Sequence, residues 1–222
     1  MRNDFYFQIE VVPEQINYTN KLVDYSIAHH PVTDIFINDP DGIMRKQEFR
    51  FTGTIAEVVF ADAYKLPRPT RSFGAIDGQD YGQDFAFAPY GKIISFDVKG
   101  MNRKNNNFKE NYVLNIPGYQ IHKRVSITDS YFCISLHRSD NVLIATFVGW
   151  IDKDEVINGV IGNLFIAGTK RIKDDGSSFI FQRDTYEIEF KDINSPFLND
   201  DIKNMKGYKV MHILPPIKSI AR

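Results

Sequence analysis

Short apolar runs broken by Gly, Asn and Asp set the rhythm of this chain, and their length and spacing predict a strand-rich mixed fold rather than a helical bundle. Phe5 to Val11 reads as an opening strand, and Pro13-Glu14 then start a helix to about Ala28, Pro13 suiting a first helical turn. His29 to Arg50, with Asp39-Pro40-Asp41-Gly42, is turn-rich and predicts irregular chain. Thr52 or Thr54 can then cap a helix from Ile55 to about Tyr64, ending before Pro67 and Pro69. After a Gly- and Asp-rich loop from Phe73 to Gly82, the segments 84–88 and 93–99 flank the turn Pro89-Tyr90-Gly91-Lys92 and predict a β-hairpin.

Beyond a basic loop at 100–111, a short ordered piece opens at Tyr112 to Leu114 and a helix is expected over about Tyr119 to Val125. Strands follow at 131–137 and 141–148, then a short helix from Asp152 to Ile157, then further strands over 160–190 with a turn at Asp174-Asp175-Gly176. From Ile193 onward, Pro196, Pro215 and Pro216 predict an irregular tail. The expectation is one domain, 1–222: a core over about 50–158, an N-terminal strand-helix extension over 1–49 and a β-rich C-terminal extension over 159–222. No internal repeat or low-complexity tract is visible.

Composition narrows the function class. A chain of 222 residues, 43% hydrophobic and 14% aromatic, can bury a full core. A formal charge of −1 gives no bulk attraction to a polyanion, so contact with nucleic acid must come from a local patch. Lys99, Arg103, Lys104, Lys109, Lys123 and Arg124, opposed by Glu110 alone, form such a patch in sequence. The single cysteine, Cys133, has no internal disulfide partner and lies in an apolar strand, which reads as an inert core thiol in a reducing compartment. With no signal core at the N-terminus and no run near the roughly eighteen apolar residues of a membrane span, a soluble cytoplasmic protein is expected.

The chemistry concentrates around the hairpin. Strand side chains alternate, so Asp97 and Lys99 share one face with Ser95 while Ile94, Phe96 and Val98 share the other. A loop over 89–92 pairs Ala88 with Ile93 and, stepping outward, sets Asp84 opposite Asp97. Carboxylates facing one another at roughly 5 Å between Cβ atoms are destabilising unless neutralised, and a divalent cation is the natural neutraliser. Oxygen ligands suit Mg²⁺ or Mn²⁺ better than zinc, which favours Cys and His. Such an ion lowers the pKa of bound water and polarises a phosphoryl oxygen, the needs of phosphodiester hydrolysis, and the Lys99 ammonium can lie near the phosphate oxygen or the attacking water. Glu57, in the middle of the apolar segment Ile55 to Ala61, needs a compensating partner, which a metal-bound water or Lys99 could supply.

These residues resemble the PD-(D/E)XK nuclease superfamily, the fold of type II restriction enzymes. The motif reads Asp84, twelve intervening residues, then Asp97-Val98-Lys99, preceded by Glu57 on a helix. The resemblance implies a central mixed β-sheet flanked by helices, an α/β (α+β mixed) class. It implies metal binding by Asp84, Asp97 and the carbonyl of Val98, water activation by Lys99 and orientation of the site by Glu57. It extends loosely to Val148 to Glu155, read as a core strand leading into a short helix, and Gln120 matches an accessory polar residue by position. One departure stands out: the family's Pro before the first acid is Gln83 here.

The function expected is therefore a Mg²⁺- or Mn²⁺-dependent endodeoxyribonuclease acting on double-stranded DNA. Arg103, Lys104, Lys109, Lys123 and Arg124 are expected on the phosphate backbone, and cutting both strands with one site per chain would favour a homodimer. The alternative is a catalytically silent nucleic-acid-binding or assembly protein that keeps the nuclease fold. His29-His30 read as exposed residues at a helix end rather than metal ligands, and Cys133 with His122 or His137 reads as core rather than as a thiol-protease pair.

Overall fold

The opening strand, β1 (Phe5–Glu10), forms as expected, and it lies inside a sheet rather than at its edge. The computed structural model describes residues 4–29, 42–70, 84–104, 106–122, 128–172 and 176–215. In chain order β1 is followed by α1 (Pro13–His29), α2 (Gly42–Tyr64), β2 (Phe85–Phe87), β3 (Ile94–Asn102), β4 (Val113–Pro117), α3 (Gly118–Ile121), β5 (Ser130–Ser139), β6 (Val142–Asp152) and α4 (Lys153–Ile157). The strands β7 (Asn163–Phe165), β8 (Lys170–Ile172), β9 (Ser178–Ile180), β10 (Thr185–Glu189) and β11 (Lys209–His212) complete it, with 3-10 turns at Phe190–Asp192 and Asp201–Asn204. The class is mixed α+β.

The main sheet has six strands in the order β11-β1-β6-β5-β3-β2. All its pairs are antiparallel except β3 with β5, and that parallel pair is joined by a crossover through β4 and α3. A reciprocal latch sets the start of the parallel pair. The backbone N–H and the hydroxyl of Ser95 both donate to Asp129 Oδ2, at 2.9 and 2.8 Å, and Asp129 N donates back to Ser95 Oγ at 2.8 Å.

Alternation of side chains sends the two faces of this sheet into different cores. Phe96, Val98, Phe132, Ile134 and Phe147 pack with Ile55, Val59 and Phe60 of α2. Tyr6, Tyr131, Cys133, Val148 and Ile151 pack with Leu114 of β4 and Ile188 of β10, two strands of a second sheet ordered β4-β10-β7. One face therefore carries helix and the other a three-stranded sheet.

Three expectations need correction. The segment from Gly42 to Arg50, read as irregular, belongs to α2. Thr52 and Thr54 lie inside that helix rather than at its cap; Thr52 Oγ1 donates to the Glu48 carbonyl one turn back at 2.8 Å, a bond that lets a hydroxyl sit mid-helix. The tail is not wholly irregular, because β11 joins β1 edge to edge. β1 and β11 thus enter the same sheet as the strands of the segment read as the core. The loop 73–82 and residues 123–125 of the expected helix lie outside the described residues.

Candidate active site

The hairpin forms in the register that the loop 89–92 requires: Phe85 faces Phe96, Ala86 faces Ser95 and Phe87 faces Ile94. One further step sets Asp84 opposite Asp97. There the ladder ends, and Asp84 closes it in two ways. Its N–H donates to the Phe96 carbonyl at 2.8 Å, and its Oδ2 accepts the Val98 N–H at 2.6 Å. The carboxylate takes the place of the next backbone acceptor that β2 would have supplied, so it stands on the peptide between Asp97 and Val98.

Asp97 and Lys99 come together as alternation requires. Lys99 Nζ lies 2.7 Å from Asp97 Oδ1 and 2.8 Å from Oδ2. The side chains keep 19% and 20% of their surface exposed, so the pair is shielded but reachable from solvent. Across the parallel pair, Tyr131 lies beside Asp97, and the Lys99 ammonium sits 5.5 Å from the centre of its ring. Burial pushes the Tyr131 phenol well above its usual range, and the Asp97 charge beside it adds to that. The phenol therefore keeps its proton at neutral pH.

Glu57 is half-buried on α2, which covers the opposite face of the sheet from Asp97 and Lys99. At the sheet edge, β2 pairs with β3 no further than Phe96. Among the described residues no three His, Cys, Asp or Glu side chains gather closely enough to hold a metal ion, so Glu57 does not form a three-carboxylate cluster with Asp84 and Asp97. What does gather is two carboxylates flanking the Val98 peptide. A carboxylate has about four lone-pair sites, so the bond from Val98 leaves Asp84 coordinating capacity. Two hard oxygen donors and a strand carbonyl fit Mg²⁺ or Mn²⁺ bound largely through water, and do not fit zinc.

The basic residues separate. The Arg103 guanidinium turns inward, bonding the Val113 carbonyl at 2.8 Å and lying over the rings of Tyr112 and Phe190 at 5.4 and 5.8 Å. It braces the start of β4 and is badly disposed to meet a phosphate. Lys104 is exposed, and Lys109 is half-buried where its backbone bridges Leu214. Lys123 and Arg124 lie outside the described residues. Gln120, on α3, has its Oε1 buried without a hydrogen-bond partner and its Nε2 on Tyr119 Oη at 3.3 Å. A recess of about 670 Å³ elsewhere on the surface is lined by Glu155, Glu187, Glu189, Asp192 and Lys191, an acidic lining that repels a phosphate backbone.

The thiol reading is removed by burial. Cys133 is inaccessible, its thiol is pushed up to about 12 by desolvation, and His122 Nε2 pairs with Tyr186 Oη at 2.9 Å. Phe85 and Phe87 are core aromatics, packed on Phe60 and Tyr64. Sequence reading missed Tyr131, which hides in an apolar strand; no local signal reveals that the crossover would set it against Asp97. Comparison with protein-family models, with curated proteins and with solved structures gave no match to this chain.

Proposed function

We propose that this chain is a divalent-metal-dependent endonuclease of the PD-(D/E)XK, restriction-endonuclease-like kind, hydrolysing phosphodiester bonds in double-stranded DNA. One observation carries the reading: the Asp84 carboxylate lies on the Val98 amide, beside the Asp97–Lys99 pair. Two acids and a lysine that are separated in sequence by a hairpin therefore meet at the middle of one strand, β3. The order of parts also supports it, with a helix, a hairpin ending in Asp97-Val98-Lys99, and a crossover to a parallel neighbouring strand.

Asp84, Asp97 and the Val98 carbonyl would hold the ion, Mg²⁺ or Mn²⁺. When bound, it supplies a polarised phosphoryl oxygen and a water of lowered pKa. Lys99 holds a phosphate oxygen or orients the attacking water, and its charge offsets the charge growing on the phosphate. Glu57 would act on that water from the sheet edge. Lys104 and Lys109, with Lys123 and Arg124, would follow the phosphate backbone. Two copies would cut the two strands.

A second reading has its own support. Lys99 already neutralises Asp97, and Asp84 already completes the β2–β3 ladder, so the same atoms can close the fold of a nucleic-acid-binding protein that does not cut. Plasmid nicking in Mg²⁺ or Mn²⁺ separates the two. Cutting by the wild type that is lost in both Asp97→Ala and Lys99→Ala is the expected result; DNA binding without cutting at any metal concentration supports the second reading.

A further inference from the structure

Tyr131 is fully buried, yet its hydroxyl has no hydrogen-bond partner among the described residues. A buried hydroxyl left unpaired is costly, and a phenylalanine would fill the same core space without that cost. The hydroxyl belongs to a ring that stands beside a charged pair. In the parallel register Tyr131 adjoins Asp97, and its ring lies 5.5 Å from the Lys99 ammonium.

Lys99 and a metal ion compete for the same oxygens. Its ammonium lies within 2.8 Å of both oxygens of Asp97, where an incoming cation would be repelled. For Asp97 to serve as a ligand the lysine must let go, and a partly buried ammonium that lets go needs another acceptor at once. The Tyr131 ring lies beside it, and the hydroxyl on that ring has an unused lone pair.

We propose that Tyr131 is the positioning residue for Lys99: when Asp97 turns from the lysine to a divalent cation, the ammonium moves onto the Tyr131 ring and donates to its hydroxyl oxygen. This rests on the nuclease reading of the same site, because it supposes that a cation binds at Asp97. Lys99 then has two resting places, one that closes the empty site and one that leaves Asp97 open while keeping a positive charge beside the phosphate.

A double-mutant cycle on the full chain tests this, read as Mn²⁺ binding by calorimetry with the thermal midpoint measured in parallel. Tyr131→Phe is expected to weaken Mn²⁺ binding about ten- to a hundredfold, the value of one hydrogen bond to a charged donor. Its thermal midpoint should stay level or rise, since the lost hydroxyl has no partner among the described residues. Lys99→Met should tighten Mn²⁺ binding by removing the competitor, and in that background Tyr131→Phe should have no further effect. Equal Mn²⁺ binding by wild type and Tyr131→Phe overturns the inference while leaving the nuclease reading intact. So does a loss of the same size with and without Lys99, because Tyr131 would then act by another route. A wild type that takes up no Mn²⁺ overturns both.

Discussion

His137 sits on β5 with both ring nitrogens buried and without a hydrogen-bond partner among the described residues, and desolvation holds its pKa below the ordinary value. Because the folded imidazole resists protonation, the unfolded chain takes up the proton more readily. Stability from this residue is therefore complete above the unfolded pKa of about 6.5 and falls as pH drops from there toward the depressed folded value. Urea midpoints followed from pH 7.5 to 5.5 should decline for the wild type and lose that decline in His137→Leu; parallel curves would show that the acid sensitivity lies elsewhere. Asp84 allows a second separation at this scale. Asp84→Ala removes the acceptor of the Val98 N–H and should cost about 1–2 kcal/mol in urea denaturation. Asp84→Asn can accept the same bond and should recover most of that stability, yet it should stay inactive in plasmid nicking if the charge is what the reaction needs. Activity in Asp84→Asn would reduce Asp84 to a ladder cap.

At the scale of elements, the approach of α2 to β3 decides where the site stands. Asn102 Nδ2 donates to Thr52 Oγ1 at 2.9 Å, and a Cβ on Gly100 would come 2.4 Å from the Thr52 carbonyl oxygen and 3.0 Å from Ala56 Cβ. Glycine is required there by this close backbone approach, since neither neighbouring atom lies at the end of a flexible side chain. Gly100→Ala is expected to push the helix off the strand and cost about 1–3 kcal/mol, measured as a shift in the urea midpoint. A midpoint unchanged from the wild type would mean that helix and strand are not held at this distance in solution. Phe60 anchors the same contact from above. Its ring meets those of Phe85, Phe96 and Phe132, which ties the helix to the hairpin and to the parallel neighbour at once.

Over the whole molecule, β1 and β11, the first and last strands among the described residues, pair in the main sheet. β1 lies between β6 and β11, Ile213 N donates to the Asp4 carbonyl at 2.9 Å, and Leu214 N reaches the Phe108 carbonyl at 3.0 Å. A chain cut after Met205 loses β11, the buried Ile213 and the ion pair of Lys206 with Glu10. It also bares the outer edge of β1, a template for pairing with other chains. This truncation should lower stability by at least about 2 kcal/mol from the lost apolar burial alone and raise aggregation in light scattering. A truncated protein as stable and as monodisperse as the full chain would show that β11 is dispensable. Among the described residues no helix is long and apolar enough to cross a membrane.

The sequence by itself determined what is local. The strand at Phe5, the helix from Pro13, the turn at 89–92, the strands flanking Asp140 and the short helix after Asp152 were all legible, because turn chemistry, caps and side-chain periodicity act over a few residues. Asp152 shows this best: it accepts from Asp154 N at 2.8 Å and caps the helix it precedes. The hairpin register was legible as well, since a short loop fixes which residues face each other, and with it the meeting of Asp84 and Asp97-Val98-Lys99. Tertiary structure alone decided the rest. That β11 completes the sheet, that Arg103 is drawn under Tyr112 and Phe190, that α2 lies on the far side of the sheet from Lys99, and that Tyr131 stands beside Asp97 all depend on pairings between segments distant in sequence. Such pairings are chosen by the summed burial of two faces of a sheet, a property of the whole chain that no window of residues contains.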